Sequence, residues 1–289
     1  MSPRHWTAAI CPITLFCVHA QELPNLTVAS HLVQIPVQAQ DAGGRFVTSL
    51  EPEHFRIEEN GIPRAIVSFV REDGPVSLHI LLDVSGSMKG RLEPAVAAVQ
   101  ELVRHGYPGD EISLSTFAET RTPFGDTELA LDRARALGPC GRTALWDAID
   151  EALAQARREH RPREVILVVT DGIDTASRLT FGRLRNRAME SNAVLYAALL
   201  GRDSRRNHLS RWDLREIAGI TGGRVFRVNR PRALAAEMER IGMRQRYVLF
   251  FQPHSGPAGR RKVAVSLTPS AGGRLRLFWR REFLFPEGE

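Results

Sequence analysis

One short stretch carries residues that could do chemistry: Asp83-Val84-Ser85-Gly86-Ser87 sets a carboxylate and two hydroxyls on alternate positions. It stands just beyond the apolar run Leu78-His79-Ile80-Leu81-Leu82 and ahead of a helical pattern, so its oxygens fall on a loop at the carboxyl end of a strand. In open α/β sheets that edge is where ligands bind. Two further donors fall where the same edge would gather them. Thr143 opens a helix after Gly141-Arg142, and Asp171 ends the run Val165 to Thr170 as Thr170-Asp171-Gly172. Hydroxyls backed by two carboxylates suit a hard cation such as Mg²⁺, which takes oxygen ligands and keeps several waters. No cluster of softer donors offers itself to another metal. The plainer alternative is that Ser85, Ser87 and Thr143 cap helices while Asp83 and Asp171 order loops.

The remaining candidates read as structural. His79 lies inside an apolar strand and reads as a packing residue, while Asp147 and Asp150, one helical turn apart, read as a solvated helix face. Asp174 reads as a loop-ordering residue. Cys140 sits beside the oxygen cluster with no histidine close in sequence to activate it. Gly86 and Gly90 lack the spacing of a phosphate loop. With neither a general base nor a nucleophile beside the cluster, a metal-assisted hydrolase is the weaker expectation, and the chain is read as a non-enzyme.

The elements that must position these residues alternate. From 73 to 246, apolar runs of strand length (Leu78–Leu82, Ile112–Phe117, Val165–Val169, Val194–Leu200 and an edge, Arg224–Val228) are separated by amphipathic stretches such as Leu92, Val96, Val99 and Val103. That alternation predicts an α/β fold: a doubly wound, mostly parallel sheet with helices on both faces. On either side the texture is β-like. In 21–72, Val33, Ile35 and Val37 repeat with period two, and Phe55-Arg56-Ile57, the turn Glu59-Asn60-Gly61 and Ala65 to Phe69 suggest a hairpin. In 247–289 the runs Tyr247–Phe251, Val263–Leu267 and Leu275–Trp279 are separated by Gly, Pro and Ser turns. Neither flank alone buries much surface, so the expectation is one small β-sandwich with the α/β domain inserted in it.

Composition narrows the class without naming a role. A chain of 289 residues, 43% hydrophobic and 25% charged, is an ordinary folded protein. The net charge of +6 is nearly all arginine, Lys89 and Lys262 being the only lysines, and the arginines are interspersed with acids. Such a distribution argues for a solvated surface rather than a nucleic-acid face. At the start, Arg4 and His5, the mostly apolar run Trp6 to Val18 and the sequence Val18-His19-Ala20 read as a signal peptide over 1–20, implying export to a periplasmic or extracellular location without a spanning segment afterwards. Cleavage would remove Cys11 and Cys17 and leave Cys140 as a free thiol.

The loop Asp83-x-Ser85-x-Ser87, Thr143 and Asp171 together resemble the von Willebrand factor A domain with its metal-ion-dependent adhesion site. The flanks and the signal-like start are similar to bacterial exported proteins with a von Willebrand factor A-related domain. The resemblance implies Mg²⁺, with Mn²⁺ or Ca²⁺ as alternatives. Ser85, Ser87 and Thr143 would be direct or near-direct ligands, and Asp83 and Asp171 would hold coordinated waters or enter the shell. It further implies a protein partner that supplies an Asp or Glu carboxylate, and a C-terminal helix around Ala233 to Met243 that shifts on binding. The alternative function is a metal-independent envelope scaffold or assembly factor.

Overall fold

The computed structural model describes residues 32–159, 161, 163–201, 208–228, 233–240 and 243–286, so the expected signal segment lies outside the described residues. The described residues form one compact unit.

Its α/β layer runs β5 (Ser77–Asp83), α1 (Leu92–Arg104), β6 (Glu111–Phe117), α2 (Thr127–Leu137), α3 (Leu145–Glu159), β7 (Glu164–Thr170), α4 (Phe181–Glu190), β8 (Val194–Leu200), α5 (His208–Thr221), β9 (Val225–Val228) and α6 (Ala233–Arg240). The five strands make a parallel sheet in the order β6-β5-β7-β8-β9. β5, β7 and β8 are buried along their whole length because helices cover both faces, which is why they read as unbroken apolar runs. One face packs Ile80, Leu82, Leu167 and Tyr196 against α1, α2 and α6. The other packs Leu81, Ile166, Val168 and Leu195 against α3, α4 and α5. The apolar stripe of α1 (Leu92, Ala95, Val96, Val99, Leu102) follows the helical period that its sequence showed.

Flanking strands build two antiparallel four-stranded sheets. Preceding the α/β layer come β1 (Val33–Gln40), β2 (Phe55–Glu59), β3 (Ile62–Arg64) and β4 (Ile66–Asp73); following it come β10 (Gln245–Phe251), β11 (Gly259–Leu267), β12 (Arg276–Trp279) and β13 (Glu282–Phe285). The sheet orders are β12-β1-β10-β4 and β13-β11-β2-β3, so each sheet mixes strands from both ends. Between them lies a core of Ile35, Val37, Phe55, Ile57, Leu249 and Phe251. Tyr247 anchors it, its hydroxyl donating to the Val47 carbonyl at 2.6 Å and accepting from the Leu50 amide at 3.1 Å.

The expected hairpin is differently arranged. Asn60 (φ 50°) and Gly61 (φ 82°) make the turn, but the strand that returns against β2 is only Ile62–Arg64. After Ala65 the chain crosses to the other sheet, where Ile66 to Asp73 pairs with β10. Alternation along a strand shows which residues face a core, not which sheet supplies the partner.

Candidate metal centre

Beyond the carboxyl ends of β5 and β7, the sequence-selected residues converge. Asp83 ends β5, completely buried, and its two oxygens are both held: Oδ1 accepts from the Ser85 amide at 2.9 Å and Oδ2 from the Thr170 hydroxyl at 2.6 Å. The Thr143 hydroxyl donates to Ser85 Oγ at 2.8 Å, and Ser85 Oγ lies 3.0 Å from Ser87 Oγ. Asp171, 1% exposed, follows β7; its Oδ1 accepts from the Ile173 amide at 3.2 Å and its Oδ2 meets the Arg91 guanidinium at 3.2 Å.

Backbone bonds lock the loops together. The Cys140 amide donates to the Val84 carbonyl at 3.0 Å and the Gly86 amide to the Gly141 carbonyl at 2.9 Å. That approach explains Gly86, where a Cβ would lie 3.1 Å from the Gly141 oxygen. Gly141 (φ 73°) takes a backbone conformation that other residues adopt only with strain.

The capping alternative can be checked directly. Ser85 precedes a short 3₁₀ turn, Gly86–Met88, yet makes no side-chain cap bond. The amides entering α3 are held from elsewhere: Thr143, two residues before it, by Thr175 Oγ1 at 3.0 Å, and the first two of the helix, Leu145 by Asp174 Oδ1 at 2.8 Å and Trp146 by Ser177 Oγ at 2.9 Å. The hydroxyls of Ser85, Ser87 and Thr143 thus meet one another rather than the amides of a helix end. An all-oxygen set of three hydroxyls and two buried carboxylates fits a hard, octahedral cation. Among the described residues, no group of three or more His, Cys, Asp and Glu gathers for any other metal.

Electrostatics set Asp83 apart. Burial pushes its carboxyl up to about 6, with the neighbouring Asp171 charge adding to the effect and the bonds from Ser85 and Thr170 opposing it. The Ser85 amide and Thr170 hydroxyl that bond to it are neutral. A dication beside it would reverse that penalty.

Other candidates fall out as follows. His79 is buried, with Nδ1 2.9 Å from Ser113 Oγ and its ring against Phe124. Cys140 is exposed and free. Asp174 holds the start of α3, as a loop-ordering role requires. Asp147 and Asp150 are not a solvated face. Asp147 accepts from the Arg178 and Leu179 amides at 3.0 and 2.8 Å, pinning the loop after β7 to α3, and half-buried Asp150 has its carboxyl raised by burial. Helical spacing put both on the polar side of α3, and the loop that covers that side could not be read from it. Two residues of the site carry no signal in the sequence: Thr170 lies at the end of an apolar run and Arg91 is one arginine among many, and only the folded chain brings them to Asp83 and Asp171.

Residues 78–173, which include all five oxygen-bearing candidates, match the family model of the von Willebrand factor type A domain. Over those residues, which make up about a third of the chain, the α/β layer is similar to von Willebrand factor type A domains. Similar solved structures include a von Willebrand factor type A protein from Catenulispora acidiphila (15% identity, 84% of this chain and 74% of that chain, TM-score 0.47). An aerotolerance-related membrane protein from Bacteroides fragilis is similar at 21% identity (57% of this chain, 97% of that chain, TM-score 0.45). The conserved hypothetical protein BatB from Bacteroides thetaiotaomicron is similar at 22% (57% and 98%, TM-score 0.42). No curated protein matches the chain. Among the described residues, no helix is long and apolar enough to cross a membrane.

Proposed function

We propose that this chain is an exported binding protein, not an enzyme, whose von Willebrand factor type A domain holds Mg²⁺ at the sheet's carboxyl edge and engages an acidic side chain of a protein partner. The observation that carries this reading is the release of three hydroxyls from capping duty: Ser85, Ser87 and Thr143 face one another over two buried carboxylates while Asp174, Thr175 and Ser177 hold the amides entering α3. Ser85, Ser87 and Thr143 would hold the ion, with Asp83 and Asp171 behind them. When bound, the ion supplies an exposed positive centre for a carboxylate. Ser85 and Thr143 offer oxygens already fixed by the locked loops, so little ordering is required on loading. The signal-like sequence of residues 1–20 supports export.

Calorimetric titration of Mg²⁺ and Mn²⁺ into chelator-stripped protein tests the site. Saturable binding of one ion is expected, weakened by at least about tenfold in Ser85→Ala and Thr143→Ala variants that stay folded. Recovery of envelope proteins on the immobilised chain, with Mg²⁺ and with chelator, tests the partner. Equal recovery in both, with folded protein throughout, would replace this reading with a metal-independent scaffold.

A further inference from the structure

Next to the oxygen cluster, the chain carries a cation of its own. Arg91, the residue before α1, sends its guanidinium back over the 3₁₀ turn, where Nη1 donates to the Ser87 carbonyl at 2.8 Å and to Asp171 Oδ2 at 3.2 Å. Its seat is shaped on the far side as well. Gly201, one residue past β8, has φ 84°, and a Cβ there would come within 2.6 Å of Arg91 Nε, so the side chain lies against bare backbone. The carboxylate it meets is 1% exposed, whereas the Arg91 side chain is 41% exposed. A buried carboxylate without a counter-charge is costly, and here a partly exposed guanidinium supplies one.

We propose that Arg91 is a built-in competitor for the divalent ion: its guanidinium neutralises Asp171 while the metal is absent and gives up that contact when the metal binds. This inference rests on the metal-site reading above. Two consequences follow from charge alone. Asp83 and Asp171 carry two negative charges when ionised, so a dication balances them and the displaced or nearby guanidinium leaves the loaded site with a surplus of about one positive charge. That surplus favours an acidic partner over a neutral one and makes partner binding assist metal binding, as linkage requires. Conversely, the metal-free domain keeps Asp171 paired and stays folded, so metal is not needed to assemble it.

The experiment compares the full wild-type chain with Arg91→Gln, which keeps most of the stem and removes the charge, and with Lys89→Gln, which removes an exposed charge two residues away. Mn²⁺ is titrated calorimetrically into each after chelator treatment, and each is melted with and without saturating Mn²⁺. The expected result is Mn²⁺ affinity tightened by about three- to tenfold in Arg91→Gln, the size of a charge-assisted bond to a partly exposed side chain. Lys89→Gln should bind as wild type, and the metal-free melting temperature should fall in Arg91→Gln alone and recover with Mn²⁺. Wild-type affinity in Arg91→Gln, or the same tightening in Lys89→Gln, overturns the competition while leaving the metal site standing. No Mn²⁺ binding by wild type or either variant overturns the metal site itself and the competition with it.

Discussion

Two buried carboxylates, one in each region of the molecule, are treated in opposite ways. In the sandwich, Glu59 is held by Arg261 at 2.6 Å, Arg64 at 2.7 Å and the His254 amide at 2.9 Å. Burial acts to raise its carboxyl, but those bonds outweigh it and hold the group below the ordinary carboxylate range. In the α/β domain, Asp83 is equally hidden but bonds to an amide and a hydroxyl, and its carboxyl stands at about 6. Glu59, matched by an amide and two guanidinium groups that are themselves mostly buried, is committed to the fold around it. A carboxylate kept buried among neutral donors is unstable as an anion until a cation arrives, so the α/β rim holds back binding capacity that the sandwich spends on its own cohesion.

The largest test of this contrast is to remove Glu59. Glu59→Ala strands Arg261, whose side chain is 8% exposed, and should cost about 3–5 kcal/mol of unfolding free energy, read by denaturant titration. A loss below about 1 kcal/mol would mean that the His254 carbonyl and the Phe285 ring suffice for Arg261, and that Glu59 is not the cohesive partner described.

Asp83→Asn should do the reverse. Metal binding should be lost or weakened severely, while the metal-free variant should match or exceed wild-type stability at pH 8, by up to roughly 3 kcal/mol for a shift of this size. The pH dependence sharpens the point. Unfolded Asp83 takes up its proton near 3.8 and folded Asp83 near 6, so between those values the folded state holds more protons. Acidification from about pH 7 to 4 therefore relieves a penalty at Asp83, and Mn²⁺ affinity should decline over the same range. Glu59 has the opposite sign: its contribution is present above 4.5 and fades as pH falls through its lowered value. Subtracting the stability profile of Asp83→Asn from that of wild type isolates the first effect. A flat difference between pH 4 and 8 would show that Asp83 gains no proton on folding.

The smallest effect belongs to Cys140, whose amide helps lock the loops while its thiol is exposed. Cys140→Ser should change unfolding free energy by less than about 0.5 kcal/mol and leave Mn²⁺ affinity unaltered. A marked change in either would bring sulfur into a site described here as purely oxygen.

How much of this was legible in the sequence depended on whether the partners were near in the chain. Asp83, Ser85 and Ser87 sit within five positions, and unbroken runs such as Val165–Val169 announced buried parallel strands, so the fold class and the core of the site could be read. Arg91 meets Asp171 across 80 positions and Thr170 meets Asp83 across 87, and no periodicity reports such pairs. Asp147 was misread for the same reason, since its partners Arg178 and Leu179 arrive from a loop about 30 residues on. Nor could alternation in Val33–Val37 reveal the register that sets Val33 opposite Phe251.

The α/β domain leaves the sandwich at the end of β4 and returns at the start of β10, and these strands are neighbours, with Asp73 directly opposite Gln245. The α/β domain is thus joined to the sandwich by a closed clasp, with Arg185–Glu282 at 2.6 Å and Arg280–Asn192 at 3.1 Å tying it on elsewhere. Tension applied to the polypeptide on either side would run through the ladder between β4 and β10, from Asp73–Gln245 to Ile66–Phe251, and bypass the oxygen cluster. A pull on the α/β domain from its rim would instead load that ladder from the Asp73–Gln245 end, together with the Arg185–Glu282 and Arg280–Asn192 contacts.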